Sequence, residues 1–300
     1  MTLKFIISLV FYSLLLAGTQ TARAETVTLK HNGLTLNANL KLADGKTLAD
    51  DLILMTHGTF AHNKMEIIAT LQHLFADNGI SSLAITLSMN IDNRTGFYDC
   101  SIPNTHKHTD AIDEINAWMT WLARQGSEKI TLLGHSRGGN QTAWTAVEHD
   151  NPMIQKIILI APQTWNMNNT SNDYQEKYNK KLLPILNKTQ ALVKNGTPET
   201  ILDNTDFVYC NDASVSAESF VSYYEDDARK DTPFLLNKLK KPVIVFIGSE
   251  DKVVKKLEQA MQPLSEKQNI KIHIIEGADH FFRDIYADEL VETAIEFLEE

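Results

Sequence analysis

The 300-residue chain predicts an α/β fold: a mostly parallel sheet of about eight strands, flanked by helices, with a helical cap insertion. Two patterns carry this reading. Short, continuous apolar runs recur along the chain, and stretches of helical period separate most of them. Continuous hydrophobicity suits strands buried on both faces, and such strands are joined by right-handed helical crossovers. The third observation is an interruption. Residues 163–241 break the alternation and are too long for a simple crossover, which predicts an insertion.

Taken in order, Lys4, the apolar run Phe5–Ala17 and Ala22-Arg23-Ala24 read as a secretory signal occupying residues 1–24. The apolar run falls short of the roughly 20 residues a membrane span needs. The expectation is therefore an exported, periplasmic or secreted protein of bacterial type, with no integral membrane segment in its mature chain. Glu25–Leu42 alternates around Asn32-Gly33 and predicts an antiparallel hairpin. Further strands are predicted at Leu52–Thr56, Ser82–Leu87, Lys129–Leu133, Lys156–Ile160, Pro242–Ile247 and Ile270–Ile275. Helices are predicted at Lys64–Asn78, Asp110–Arg124, Asn140–His149, Val253–Gln268 and Asp284–Glu299. Residues 25–162 and 242–300 then form the core domain, and 163–241 the cap, with helical candidates at Asp173–Lys194, Pro198–Asn204 and Ser216–Ala228.

Gly134-His135-Ser136-Arg137-Gly138-Gly139 joins one of these strands to the helix after it. A Gly-x-Ser-x-Gly in that setting resembles the nucleophile elbow of the α/β-hydrolases, where a sharp turn holds the serine hydroxyl above the sheet. Three further sites follow the pattern of that family. His57-Gly58-Thr59-Phe60, after the strand Leu52–Thr56, resembles its His-Gly loop. By that resemblance the backbone N–H of Thr59, or alternatively of Phe60, would face a developing oxyanion together with the N–H of Arg137, of which only the amide is required. Asp251 lies in the turn after Pro242–Ile247, where the family carries its triad acid, with Glu250 in reserve. His280 follows the strand Ile270–Ile275 and matches the triad histidine. Ser, Asp, His is the chain order of this fold.

The chemistry asks for these residue types. A serine hydroxyl attacks a carbonyl at neutral pH only when a base takes its proton, and an imidazole held by a carboxylate supplies that base. Taken singly, the glycine motif is a turn, Asp251 a helix N-cap and His280 a loop residue. Their order, each at a strand's C-terminal end, favours catalysis. The expected function is hydrolysis of a small-molecule carboxylic ester or other acyl substrate through an acyl-enzyme on Ser136. Two alternatives stay open: a serine peptidase or amidase of the same fold, and a non-catalytic binding protein that retains it.

Composition narrows the partners. A formal charge of −10 disfavours nucleic acid and strong attachment to anionic lipid. The oligomeric state is left open. In an exported chain the two cysteines, Cys100 and Cys210, suggest one disulfide between loop and cap, with two separate buried thiols as the alternative. No cofactor or metal is expected. His106 and His108 sit near Asp110 and Asp113 without completing a recognisable ligand set, and read as solvated loop and helix-start residues. Aromatic residues crowd the cap, and the loop Met89–His108, with Phe97 and Tyr98, is expected to wall the site's mouth.

Overall fold

The computed structural model describes residues 24–300; the expected leader, residues 1–24, lies outside them apart from Ala24. Ten strands and nine α-helices are found among the described residues. The chain runs β1 (Ala24–His31), β2 (Leu34–Lys41), β3 (Leu52–Thr56), α1 (Glu66–Asp77), β4 (Ser81–Thr86), α2 (Asp110–Arg124), β5 (Ile130–His135), α3 (Arg137–His149) and β6 (Ile154–Ile160). It then forms α4 (Met167–Tyr178), α5 (Leu182–Lys194), β7 (Ile201–Phe207), β8 (Cys210–Ser216), α6 (Ala217–Tyr224) and α7 (Thr232–Leu236). It closes with β9 (Val243–Gly248), α8 (Leu257–Met261), β10 (Ile270–Ile275) and α9 (Ile285–Glu299).

Eight strands form one sheet in the order β1-β2-β4-β3-β5-β6-β9-β10. Only β2 is antiparallel to its neighbours, and the pairings from β4 to β10 are all parallel. The hairpin closes on Asn32 and Gly33, whose positive φ values of 47° and 81° suit a tight two-residue turn. The fully apolar central strands separate two hydrophobic layers. On one face α2 and α3 pack through Ile115, Trp118, Leu122 and Trp144. On the other, α1 and α9 pack through Ile68, Leu71, Phe75, Leu290 and Phe297. The C-terminal ends of β3, β5, β9 and β10 consequently lie along one rim. No helix among the described residues is long and apolar enough to cross a membrane.

The insertion differs from expectation. It holds a two-stranded sheet, β7 with β8, as well as helices. The predicted helix at Pro198–Asn204 is instead a turn leading into β7. The predicted helix Asp173–Lys194 is two helices, α4 and α5, separated at Asn179, whose φ of 52° takes the left-handed conformation that ends a helix. The insertion has its own core, where Tyr174, Leu182, Phe207, Val215, Phe220 and Tyr224 pack with Phe60 and Tyr98 of the core domain.

Cys100 and Cys210 are joined, with S–S 2.00 Å and Cα–Cα 5.3 Å, across a separation of 110 residues. The link ties the loop after β4 to the first residue of β8. Closing so long a loop stabilises mainly by restricting the unfolded chain, by about 5 kcal/mol. Denatured protein is therefore expected to show no free thiol until reductant is added, and Cys210→Ser to unfold at lower urea; two thiols before reduction would refute the link.

Candidate active site

Ser136 sits between β5 and α3 with φ 57° and ψ −123°, a conformation that L-residues rarely adopt. The turn is held by its neighbours. The Ser136 N–H donates to the Ile160 carbonyl (2.9 Å), and its own carbonyl accepts from the Gln163 N–H (3.0 Å). Gly134 and Gly138 let the strand and helix approach closely. A Cβ on Gly138 would overlap the His57 carbonyl oxygen, and one on Gly134 would meet the Gly138 carbonyl. Strain at the serine and absent side chains beside it are thus one arrangement, which fixes Oγ above the sheet.

The structure brings Ser136, Asp251 and His280 together. His280 Nδ1 lies 2.7 Å from Asp251 Oδ2, and its Nε2 lies 2.9 Å from Ser136 Oγ. A carboxylate only accepts, so the imidazole carries its hydrogen on Nδ1 and leaves Nε2 to accept from the hydroxyl. The other Asp251 oxygen accepts from the N–H groups of Val253 (2.7 Å) and Val254 (3.0 Å). Burial alone would raise the Asp251 carboxyl, but the His280 bond and charge and these two amides outweigh it and lower it. Asp251 therefore caps a turn and orients the ring at once. It does not open a long helix: in place of the predicted Val253–Gln268 there are turns, then α8. Glu250 stays exposed. Asp279 bonds to Arg283 and the Phe281 N–H, away from the imidazole.

His135 also contributes. Its Nε2–H donates to the His280 carbonyl (2.9 Å), and its ring lies 4.8 Å from the His280 ring. The elbow thereby holds the loop that bears the histidine. Position 135 is inside the glycine motif, but nothing in its spacing marks this task.

His57, Thr59, Phe60 and Arg137 form the neighbouring wall. His57 Nδ1–H donates to the Gly58 carbonyl (2.7 Å), while Nε2 accepts from the Leu87 N–H (3.0 Å). Buried Arg94 pins the same region through bonds to the Leu87 and Ala61 carbonyls, both 2.7 Å. Neither the Thr59 nor the Arg137 backbone N–H donates to a protein group among the described residues. Thr59 faces the Ser136 cleft, whereas Phe60 turns its ring into the cap core against Tyr98, centroids 4.9 Å apart.

A cleft of about 520 Å³ opens at Ser136 between the core domain and the insertion. It sorts the cap aromatics: Trp165, Tyr174, Tyr178, Tyr209, Tyr223 and Tyr224 line it, while Phe207 and Phe220 only pack. The loop 89–108 does not wall this cleft. Phe97 points to solvent and Tyr98 lies under the cap, because the Cys100 link draws the loop there. His106 and His108 are likewise not solvated. Both are buried: Tyr223 of the cap places its hydroxyl 2.9 Å from His106 Nδ1, and Asn140 of α3 places its Oδ1 3.1 Å from His108 Nε2. Among the described residues no cluster of three His, Cys, Asp or Glu could hold a metal.

The buried histidines give stability a pH dependence. Burial pushes His106 and His135 down to about 3, and with nearby Arg94 or Arg137 it lowers His57 and His108 well below the usual range. These groups favour the folded state fully above about pH 6.5, where the unfolded chain's histidines are neutral too. As the pH falls further, the unfolded state binds more protons, and stability drops by up to about 1.4 kcal/mol per pH unit for each histidine. Burial raises Glu114 to about 7, which opposes this with a single proton. The urea midpoint is therefore expected to fall between pH 7 and 5; a constant or rising midpoint would contradict the burial argument.

Sheet order, elbow and insertion define an α/β-hydrolase. A family model described as serine aminopeptidase, S33, matches residues 92–283, more than half of the chain, and the chain belongs to that family. Among solved structures, Est1E from Butyrivibrio proteoclasticus superposes with a TM-score of 0.63 at 17% identity, covering 92% of this chain and 99% of that one. DcsB in complex with a substrate analogue gives 0.66 at 15% identity, covering 92% and 98%. The esterase Pf2001 of Pyrococcus furiosus gives 0.56 at 15%, covering 93% and 92%. At such identities the likeness is one of fold. Comparison with curated proteins finds no match.

Proposed function

We propose that the protein is a serine hydrolase of carboxylic esters, working through an acyl-enzyme on Ser136. One observation carries this reading: the His280 ring lies within hydrogen-bond reach of both Ser136 Oγ (2.9 Å) and the Asp251 carboxylate (2.7 Å). His280 Nε2 takes the hydroxyl proton as Oγ bonds to the ester carbon, and the carbonyl oxygen becomes an oxyanion. The backbone N–H groups of Thr59 and Arg137 receive that charge, the latter at the start of α3, where the helix dipole assists. Thr59 is preferred over Phe60 because it faces the cleft. His280 then gives its proton to the departing alkoxide as the C–O bond breaks. In the second half, water loses a proton to His280 and attacks the acyl carbon. The acid leaves, and His280 returns the proton to Ser136.

Peptidase or amidase activity is the second reading, favoured by the family description and by Asp173 and Glu176 at the cleft's edge, which could hold a substrate ammonium. The cation nearest the nucleophile, Arg137, speaks against an ammonium close to the scissile bond. Assaying p-nitrophenyl acyl esters beside aminoacyl p-nitroanilides separates the two. Turnover of the esters is expected, and turnover of the anilides alone would overturn the ester reading. An exported location, set by a leader cut after Ala24, remains part of the proposal and is checked by the N-terminal sequence of the protein its host releases.

A further inference from the structure

The side chain of Arg137, next to the nucleophile, has no acid partner among the described residues. Its Nε–H donates to Thr59 Oγ1 (3.0 Å), one Nη–H faces His108 Nδ1 (3.3 Å), and the guanidinium lies 5.0 Å from the centroid of the Tyr223 ring. All three partners are neutral. The His108 tautomer is set from behind: Asn140 Nδ2 donates to the Arg229 carbonyl (3.1 Å), so its Oδ1 accepts from His108 Nε2–H and Nδ1 is free to accept. Arg137 is thus aimed by a chain of uncharged groups that leave its positive charge uncompensated. A guanidinium has five N–H donors. The two in use leave three beside a cleft that Arg137 lines together with Ser136.

A second observation points the same way. The chain carries a formal charge of −10, yet the cleft inverts that sign. Lys177, Lys252, Lys255 and Lys256 line it with Arg137, against only Asp173 and Glu176, and none of these cations forms a salt bridge among the described residues. A positive cleft on a negative molecule draws anionic substrates inward.

We propose that Arg137 is the anchor for a carboxylate on the substrate, so that the preferred esters are anionic ones carrying a free acid group within reach of the scissile bond. This rests on the ester-hydrolase reading and names its substrate class. A planar carboxylate matches the guanidinium fork, and the aromatic walls accommodate the body between acid and ester.

Two matched pairs test it in a pH-stat. Monomethyl adipate against methyl hexanoate places the charge on the acyl side, and 4-acetoxybenzoate against 4-methylphenyl acetate places it on the leaving group. At least one anionic member is expected to exceed its neutral partner in kcat/KM by about 10- to 100-fold. That advantage shrinks at high salt, collapses in Arg137→Met and returns in part in Arg137→Lys. The wild-type ratio is a sufficient test should a variant not fold. Neutral esters turned over as fast as anionic ones in both pairs would overturn the anchor while leaving the hydrolase reading intact. So would a preference that survives Arg137→Met. Protein that turns over no ester and does not react with a fluorophosphonate would overturn both.

Discussion

His280→Ala is expected to lower kcat on a neutral ester by about 10⁴-fold or more while the protein stays folded, since residues of such a triad act as a unit. Among the described residues, the imidazole is the one group that reaches both Ser136 Oγ, at 2.9 Å, and Asp251, at 2.7 Å. His135, the nearest other imidazole, cannot take its place. Its Nε2 is committed to the His280 carbonyl, and burial holds it neutral at about 3. Cutting the side chain to a methyl group removes no part of either hydrophobic layer, so far-UV circular dichroism should be unchanged. An unfolded variant would make His280 a packing residue, and a folded one with near-normal turnover would exclude it as the base.

Gly138→Ala should be the most damaging small substitution in the core domain, costing more than about 4 kcal/mol. The added Cβ would meet the carbonyl oxygens of His57 and Thr56, which are backbone atoms of β3 and the loop after it. Those atoms cannot rotate aside as a side-chain tip would, so β3 and α3 must separate. The same shift moves Thr59 relative to Ser136. Gly79→Ala is the control: its φ of 78° is left-handed but the space around it is open, and only the conformational cost of about 1–2 kcal/mol applies. Urea midpoints compare the two variants, and equal shifts would show that the elbow tolerates a side chain there.

Local chemistry explains which parts of this molecule were legible beforehand. The continuous apolar strands, the Asn32-Gly33 turn and the Gly-x-Ser-x-Gly elbow each depend on residues adjacent in sequence, and each was found where expected. Ser136, Asp251 and His280 meet because parallel strands deliver their C-terminal loops to one rim. The hairpin β7–β8 was hidden. Asp203, Asn204, Asn211 and Asp212 interrupt its alternation, its register shifts, and long-range ties fix it: the Cys100 link and the Asn104–Val215 bridge. The helix expected at Val253–Gln268 had a good apolar pattern. It is broken by the Asp251 capping turn, by Lys256 at φ 62° and by the turn at Pro263. Burial of His106 and His108, and the aim of Arg137, depend on where the cap settles, which no local pattern encodes.

The proposed hydrolysis requires that the alcohol oxygen at position 136 become a nucleophile. Treating the folded protein with a fluorophosphonate and locating the adduct by mass spectrometry addresses it most directly. One adduct on the peptide carrying Ser136, absent in Ser136→Ala and strongly slowed in His280→Ala, is the predicted result. Folded protein that takes up no label, or takes it up at another residue, would contradict the account.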